Sequence, residues 1–590
     1  MIAQKKIARL ALAAGLTATM AFGNVVSPAA MAFAEGAGST VTFSDADYAT
    51  STTYKGIQIF KATVTTTGEG TTVSNIEWAS DSVKAGVVAA IKEYEPSYSS
   101  DIAQDAADWL SAHAGVTGTD SKVASDNVLS TIAGKLNGGS AWQTTPAGSA
   151  SLSGLEAGYW LFLTDTAGTP AGMSTDGFTS PVYAVIDGTS STTVTPKKGV
   201  PTVEKKILAD ADAADADLKT SDKWKDVADS QIGQEMNYKL TGTIASNYAT
   251  FSAYAYKFTD VLSSGLDYVD GSVEVYAVNG GAYAKIGTEH YSVANAGNTL
   301  TVEFKVGNGD KGLKDVEAVN ADTQIVVFYK AKLNGNAVIG NVADGDKGGN
   351  PNTVKLTYSN NPYTEGTGET IEDTVADFAF KLNLNKVDQG TEKGLAGAVF
   401  AIQSVDANTA GQYIASKADE TAGVIAGQLV TVTDANNLPE YVKFTSGSDG
   451  KIAVFGLDAG SYKVTEVQTP DNAKYTKADP FTFTITPTYD DSAMKVTGLT
   501  AAVSESDKGR SDIAFGTLDG TAGDNKLTGT DGTGTNAATG EVTINVGNAK
   551  SVGLPITGLD GVTLTWIAGG AVLVIGVVRL IRRRRAESEE

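Results

Sequence analysis

The sequence predicts a mainly β protein: tandem immunoglobulin-like sandwiches behind an N-terminal domain of strands with helical insertions. Three observations carry that expectation. Short segments alternate apolar and polar residues, as in YAYKFTDVL, TQIVVFYKAKL and PFTFTITPT, which is the period of a half-buried strand. Turn signals such as DG, NG and NGG separate them, drawn from 65 glycines, and repeated short strands between such turns suggest sandwiches. Helical spacing is confined to an early stretch, in SVKAGVVAAIKEY, AQDAADWLSAHAG and SDNVLSTIAGKL.

The 590 residues allow roughly three or four domains at about 150 residues each. An N-terminal domain is expected over 35–196, opening with TVTFSDADY and YKGIQIFKATVT and closing with GYWLFLTD and SPVYAVIDG. Pro196, Gly199 and Pro201 punctuate a linker. A middle sandwich is expected over 197–365 and a C-terminal one over 370–550. The run ADADAADAD reads as a solvated loop; a calcium site is the alternative, without glutamate and glycine at loop-ligand spacing.

Composition removes several functions. The chain has no cysteine, so disulfides, cysteine zinc sites and thiol nucleophiles are excluded. Its two histidines, His113 and His290, do not make a multi-histidine metal site or support a serine–histidine enzyme, and neither metal nor cofactor is expected. The formal charge of −23 argues against nucleic acid, which needs clustered Lys and Arg.

The two ends point outside the cell. Lys5, Lys6 and Arg9 precede an apolar stretch at 10–22, and small residues follow, with cleavage expected between Ala34 and Glu35. This is a secretory signal, residues 1–34. At the other end an apolar run, 561–578, precedes Arg579 and Arg582 to Arg585. Its length approaches that of a membrane span, and the arginines should stay cytoplasmic. Immediately before it stand Leu554, Pro555, Ile556, Thr557 and Gly558. Pentapeptide, span and arginine cluster together (554–590) resemble the LPxTG sorting signal of Gram-positive surface proteins. The resemblance implies transient membrane retention, attack by a sortase cysteine on the Thr557 carbonyl, release of Gly558 and anchoring to cell-wall peptidoglycan.

Strand parity identifies unusual interior residues. Phe378, Phe380, Leu382 and Leu384 share a face with Lys386. Tyr462 and Val464 lead to Glu466, and Ile544 and Val546 lead to Asn548. In the middle region Val203 and Ile207 bracket Lys205, Phe258 and Leu262 bracket Asp260, and Asn352 opens the stripe Val354, Leu356, Tyr358, with Asn360 as its rival. An isolated charge in an apolar interior costs several kcal/mol. One reading is a buried Lys–acid ion pair beside an amide. The other is chemistry: desolvation favours a neutral, nucleophilic amine and a protonated acid. The amine would then attack the carboxamide, and ammonia would leave.

YKVTEVQTP resembles the E-box of Gram-positive pilins, with Val467 and Thr469-Pro470 departing from the usual pattern. LNKVD and VGNAK resemble the first and last strands of their Cna-B-type domains. PTVEKKI, KFTDVL and NTVKLTYSNNP resemble the middle isopeptide-forming domain of fimbrial shaft proteins. These resemblances imply an SpaA-like major pilin with Lys205–Asn352 and Lys386–Asn548 bonds, promoted by Asp260 and Glu466. Glu156 in GLEAGYWLFL has no matching Lys/Asn pair, so no third bond is expected. The family's Tyr-Pro-Lys motif maps onto Thr195-Pro196-Lys197, which implies Lys197 as the acceptor of the next subunit's Thr557, with Lys198 as runner-up. The implied partners are a class C pilus sortase, a housekeeping sortase, further copies of the chain, tip and minor pilins, peptidoglycan and a host surface or matrix. The chain would support adhesion and would not be an enzyme beyond a single self-directed turnover. The competing expectation is a monomeric wall-anchored adhesin.

Overall fold

The computed structural model describes residues 38–551 apart from 68–69, 117–121, 140, 210–216, 342–347, 472–473, 519–526 and 528–533. Ala34, Glu35, the pentapeptide 554–558 and the 561–578 run lie outside the described residues. No helix among the described residues is long and apolar enough to cross a membrane. The chain is mainly β, as the alternation predicts.

The N-terminal unit has three layers. Its central sheet is built around Thr53–Thr67, which pairs with Gly70–Trp78 and with Gly158–Thr166, and the latter pairs onward with Val182–Ile186. Both faces are buried, which is why Gly158–Thr166 reads GYWLFLTDT, an apolar run without alternation. Ile57, Ile59, Leu161 and Leu163 face three helices, whereas Tyr54, Trp160 and Phe162 face a smaller sheet centred on Ser39–Phe43. The helices are Asp81–Tyr94, Ala103–His113 and Val128–Asn137. Ser80 caps the first by accepting from the Val83 amide at 3.3 Å, and Asn127 caps the third through Leu129 at 2.9 Å, which satisfies amides that a helix start leaves open.

The middle unit is a sandwich of two sheets. One runs Trp224–Lys225, Val203–Leu208, Glu235–Gly242, Gln324–Leu333, Glu274–Asn279, Ala282–Lys285. The other runs Val227–Asp229, Asp373–Phe378, Asn350–Ser359, Tyr256–Leu262, Thr299–Phe304, Ser292–Ala296. Asn350–Ser359 alternates buried and half-buried residues without a break, so its even-numbered side chains all enter the core.

The C-terminal unit is also a two-sheet sandwich. Phe380–Asp388 lies between Lys451–Leu457 and Glu541–Asn548, and the pairing with Glu541–Asn548 is parallel, with Lys386 opposite Val546 and Asp388 opposite Asn548. The facing sheet carries Val399–Ser404, Gly460–Gln468, Phe481–Asp490 and Lys495–Val503 in that order.

The strand Asp373–Phe378 and its end are shared between units. Val375 and Ala379 pack in the middle core, while Ala376 and Phe378 pack in the C-terminal core. One strand thus uses its alternation to join two sandwiches.

Candidate functional site: two buried amine–acid–carboxamide clusters

In the middle sandwich Lys205 reaches across from one sheet and Asp260 and Asn352 from the other. All three are fully buried. The Lys205 Nζ donates to both Asp260 oxygens at 2.6 Å and to the Tyr329 hydroxyl at 2.8 Å. The Asn352 Nδ2 donates to the same hydroxyl at 2.7 Å. Tyr329 and Tyr238 stack with ring centroids 5.2 Å apart, and the Lys205 amine lies 5.2 and 5.4 Å from the two rings. Burial pulls the Lys205 amine down to about 8, against the opposing pull of Asp260.

The three asparagines on this face differ in one respect. Asn350 accepts from the Val338 amide at 2.8 Å and donates to the Val338 and Asp377 carbonyls, each at 3.1 Å. Asn360 donates to the Asp176 carbonyl at 3.2 Å, at the boundary with the N-terminal unit. Eight residues of strand put it about 26 Å from Asn352. Asn352 is next to the amine, and its carbonyl oxygen is buried with no hydrogen-bond partner. An unsatisfied buried acceptor is costly and calls for an explanation.

The C-terminal sandwich brings together Lys386, Glu466 and Asn548, none more than 1% exposed. Lys386 and Asn548 stand on the adjacent parallel strands, and Glu466 comes from the facing sheet. The Glu466 carboxylate accepts from the Asn548 amide at 3.0 Å and from the Ala478 amide at 2.7 Å. The Lys386 Nζ is 4.0 Å from Glu466 and donates to the Val546 carbonyl at 2.9 Å. Burial again lowers the amine to about 8, opposed first by Glu466. The Asn548 carbonyl oxygen also lacks a partner, whereas its buried neighbour Asn545 is bonded through both ends of its amide. Gly450, with φ +83°, packs directly on the Lys386 carbonyl; that backbone conformation and the close approach both require glycine.

Strand parity picked out all six residues and missed Tyr329. A tyrosine in the stripe Ile325, Val327, Tyr329, Ala331, Leu333 looks like ordinary core; only the opposing sheet reveals what its hydroxyl meets.

The two linker lysines are held differently. The Lys198 Nζ sits in a cage with Asp45 at 2.8 Å, the Tyr54 hydroxyl at 3.0 Å and Asp176. Its side chain is 9% exposed. Lys197 is fixed through its backbone: its amide donates to the Thr179 hydroxyl at 2.6 Å and its carbonyl accepts from Ser180 at 2.7 Å. Glu156 is a surface residue, 3.8 Å from Lys61. His113 stacks on Trp109 at 4.4 Å, and His290 lies 3.5 Å from Glu289.

Buried amine–acid–carboxamide clusters in consecutive sandwiches define the chain as a modular, strand-built protein. Residues 232–362 match the family described as Gram-positive pilin backbone subunit 2, Cna-B-like domain, and residues 380–498 match the SpaA prealbumin-like fold domain. Over 222 residues the chain is 25% identical to the trypsin-resistant surface T6 protein of Streptococcus pyogenes serotype M6, a match spanning 35% of this chain and 37% of that protein. Among solved structures, the T6 backbone pilin of the same serotype aligns over 88% of this chain and 100% of its own, with 15% identity and a TM-score of 0.48. The full-length major pilin SpaD from Corynebacterium diphtheriae aligns over 88% and 99%, with 16% identity and a TM-score of 0.43.

Proposed function

We propose that the chain is the shaft subunit of a covalent surface pilus, cross-linked internally by Lys205–Asn352 and Lys386–Asn548 amides and joined by sortase from Thr557 to Lys197 of the next copy. The observation that carries this reading is the pair of buried carboxamides, each with an unpartnered carbonyl oxygen, beside an amine whose proton is weakened by burial and an acid able to take it. A stability role alone would favour an apolar replacement of such groups. Condensation accounts for them: the amine becomes an uncharged amide nitrogen, and the carboxamide carbonyl becomes the acceptor for the protonated acid. The assignment of Lys197 as the acceptor amine rests on its place in the Thr195-Pro196-Lys197 sequence at the end of the N-terminal unit. The acyl donor and wall anchor rest on the pentapeptide and its flanks, and wall anchoring by a pilus sortase and then a housekeeping sortase follows from them.

Intact mass tests the internal bonds. Each condensation expels one ammonia, about 17 Da, so the mature chain should weigh about 34 Da less than its residues sum to. Asp260→Ala and Glu466→Ala should each restore about 17 Da. A wild-type mass with no deficit would overturn the reading.

A further inference from the structure

We propose that Tyr329 is a catalytic residue of the middle-domain condensation, its hydroxyl carrying a proton from the attacking Lys205 nitrogen to the departing Asn352 nitrogen. The inference rests on the proposed Lys205–Asn352 bond and adds a part that neither the sequence pattern nor the C-terminal cluster supplies. The Tyr329 oxygen is 2.8 Å from Lys205 Nζ and 2.7 Å from Asn352 Nδ2. It touches the nucleophile and the leaving group together, at the reach general acid–base transfer requires. Its ring is clamped against Tyr238, and burial and Asp260 hold its phenol well above the ordinary tyrosine range. It is therefore a neutral O–H at any physiological pH.

The step balances as follows. The Lys205 ammonium gives one proton to Asp260, leaving a neutral amine. The amine nitrogen bonds to the Asn352 carbonyl carbon, and the carbonyl π pair moves onto Oδ1, toward which Asp260 presents its new proton. The attacking nitrogen then gives a proton to the Tyr329 oxygen as the Tyr329 proton passes to Nδ2. The C–Nδ2 bond breaks, the carbonyl re-forms and ammonia leaves. Tyr329 is unchanged, and Asp260 keeps the proton it took. The C-terminal cluster has a different layout. There Glu466 itself accepts from the leaving-group nitrogen of Asn548 at 3.0 Å, so one carboxyl serves both ends.

The full chain, kept in urea since synthesis and released into buffer, provides the test. Peptide masses after timed quenching report the two bonds separately. In Tyr329→Phe the Lys205–Asn352 bond should form at least about 100-fold more slowly, the range usual for a proton-transfer group. The Lys386–Asn548 bond in the same molecules should form at the wild-type rate, which shows that the variant chain folds. Replacement of Tyr329 by 3,5-difluorotyrosine, a more acidic phenol of nearly the same size, should change the middle-bond rate at least about threefold; a space-filling role would not. Wild-type rates in both variants would overturn the role of Tyr329 while leaving the bond itself standing. Absence of the middle bond from wild type would overturn the underlying reading instead.

Discussion

Lys205 shows how much of a residue's chemistry is made by its surroundings. Its amine is lowered from 10.5 to about 8 by burial although Asp260 is in direct contact. In Asn352→Ala the amine stays titratable. Between the folded and unfolded values the unfolded chain binds more protons, so the variant gains stability as pH rises from about 8 to 10.5. With the proposed bond formed, the wild-type amine is an amide and contributes no such rise. The gap in urea midpoint between the two proteins should therefore narrow between about pH 8 and 10.5. A gap that widens or stays constant would show that Lys205 carries no depressed pKa. Parity made Lys205, Asp260 and Asn352 legible as charged or amide residues within apolar stripes. Tyr329 was not legible, because a hydroxyl at the end of an aromatic ring leaves no mark in a hydrophobic pattern. The choice of Asn352 over Asn360 also lay beyond parity, since both occupy one face and only their partners differ.

At the scale of elements the two clusters join different things. Lys386 and Asn548 belong to neighbouring parallel strands of one sheet, so a bond there ties the first strand of the C-terminal sandwich to its last. Lys205 and Asn352 belong to opposite sheets of the middle sandwich, so a bond there crosses the core. Asn352 is also not on the final strand of its sandwich, because Asp373–Phe378 follows and pairs with it in the same sheet. The C-terminal bond encloses 548 − 386 = 162 positions, and loop entropy by analogy with a disulfide gives about 5 kcal/mol. Asn548→Ala should lose roughly that much in thermal or chemical unfolding. Under stretching force it should release an extension on the order of 500 Å, from the reach of an extended chain. Wild-type C-terminal sandwiches should show no such release. Equal extensibility of the two proteins would rule out a covalent tie between these strands.

The whole molecule is joined at two seams. At the first, the Asn360 and Tyr363 side chains donate to the Asp176 and Thr179 carbonyls at 3.2 and 2.9 Å, and the Thr250 hydroxyl donates to Ser180 Oγ at 3.0 Å. At the second, Tyr489 and Ser230 donate to Asp229 and Asp377, both at 2.8 Å, beside the shared strand. A polymer linked from Thr557 to Lys197 would carry tension through the middle and C-terminal sandwiches and leave the N-terminal unit beside the load path. Lys197→Ala should abolish SDS-resistant high-mass ladders on the producing cells, whereas Lys198→Ala should keep them while loosening the Asp45–Asp176 cage. Ladders that survive Lys197→Ala would reassign the acceptor, and a wild type without ladders would favour a monomeric adhesin.

The sequence by itself determined the mainly β class, the three helices and the buried polar residues. Each of these depends on periodicity or on residues adjacent in the chain. Only the tertiary structure decided which sheet faces which, that Tyr329 meets both Lys205 and Asn352, that Lys198 is caged by Asp45 and Asp176, and that one strand serves two cores. Those facts depend on contacts between separate segments, from 22 positions apart for Lys198 and Asp176 to 153 for Lys198 and Asp45, and alternation along a strand specifies a face without naming what lies across from it.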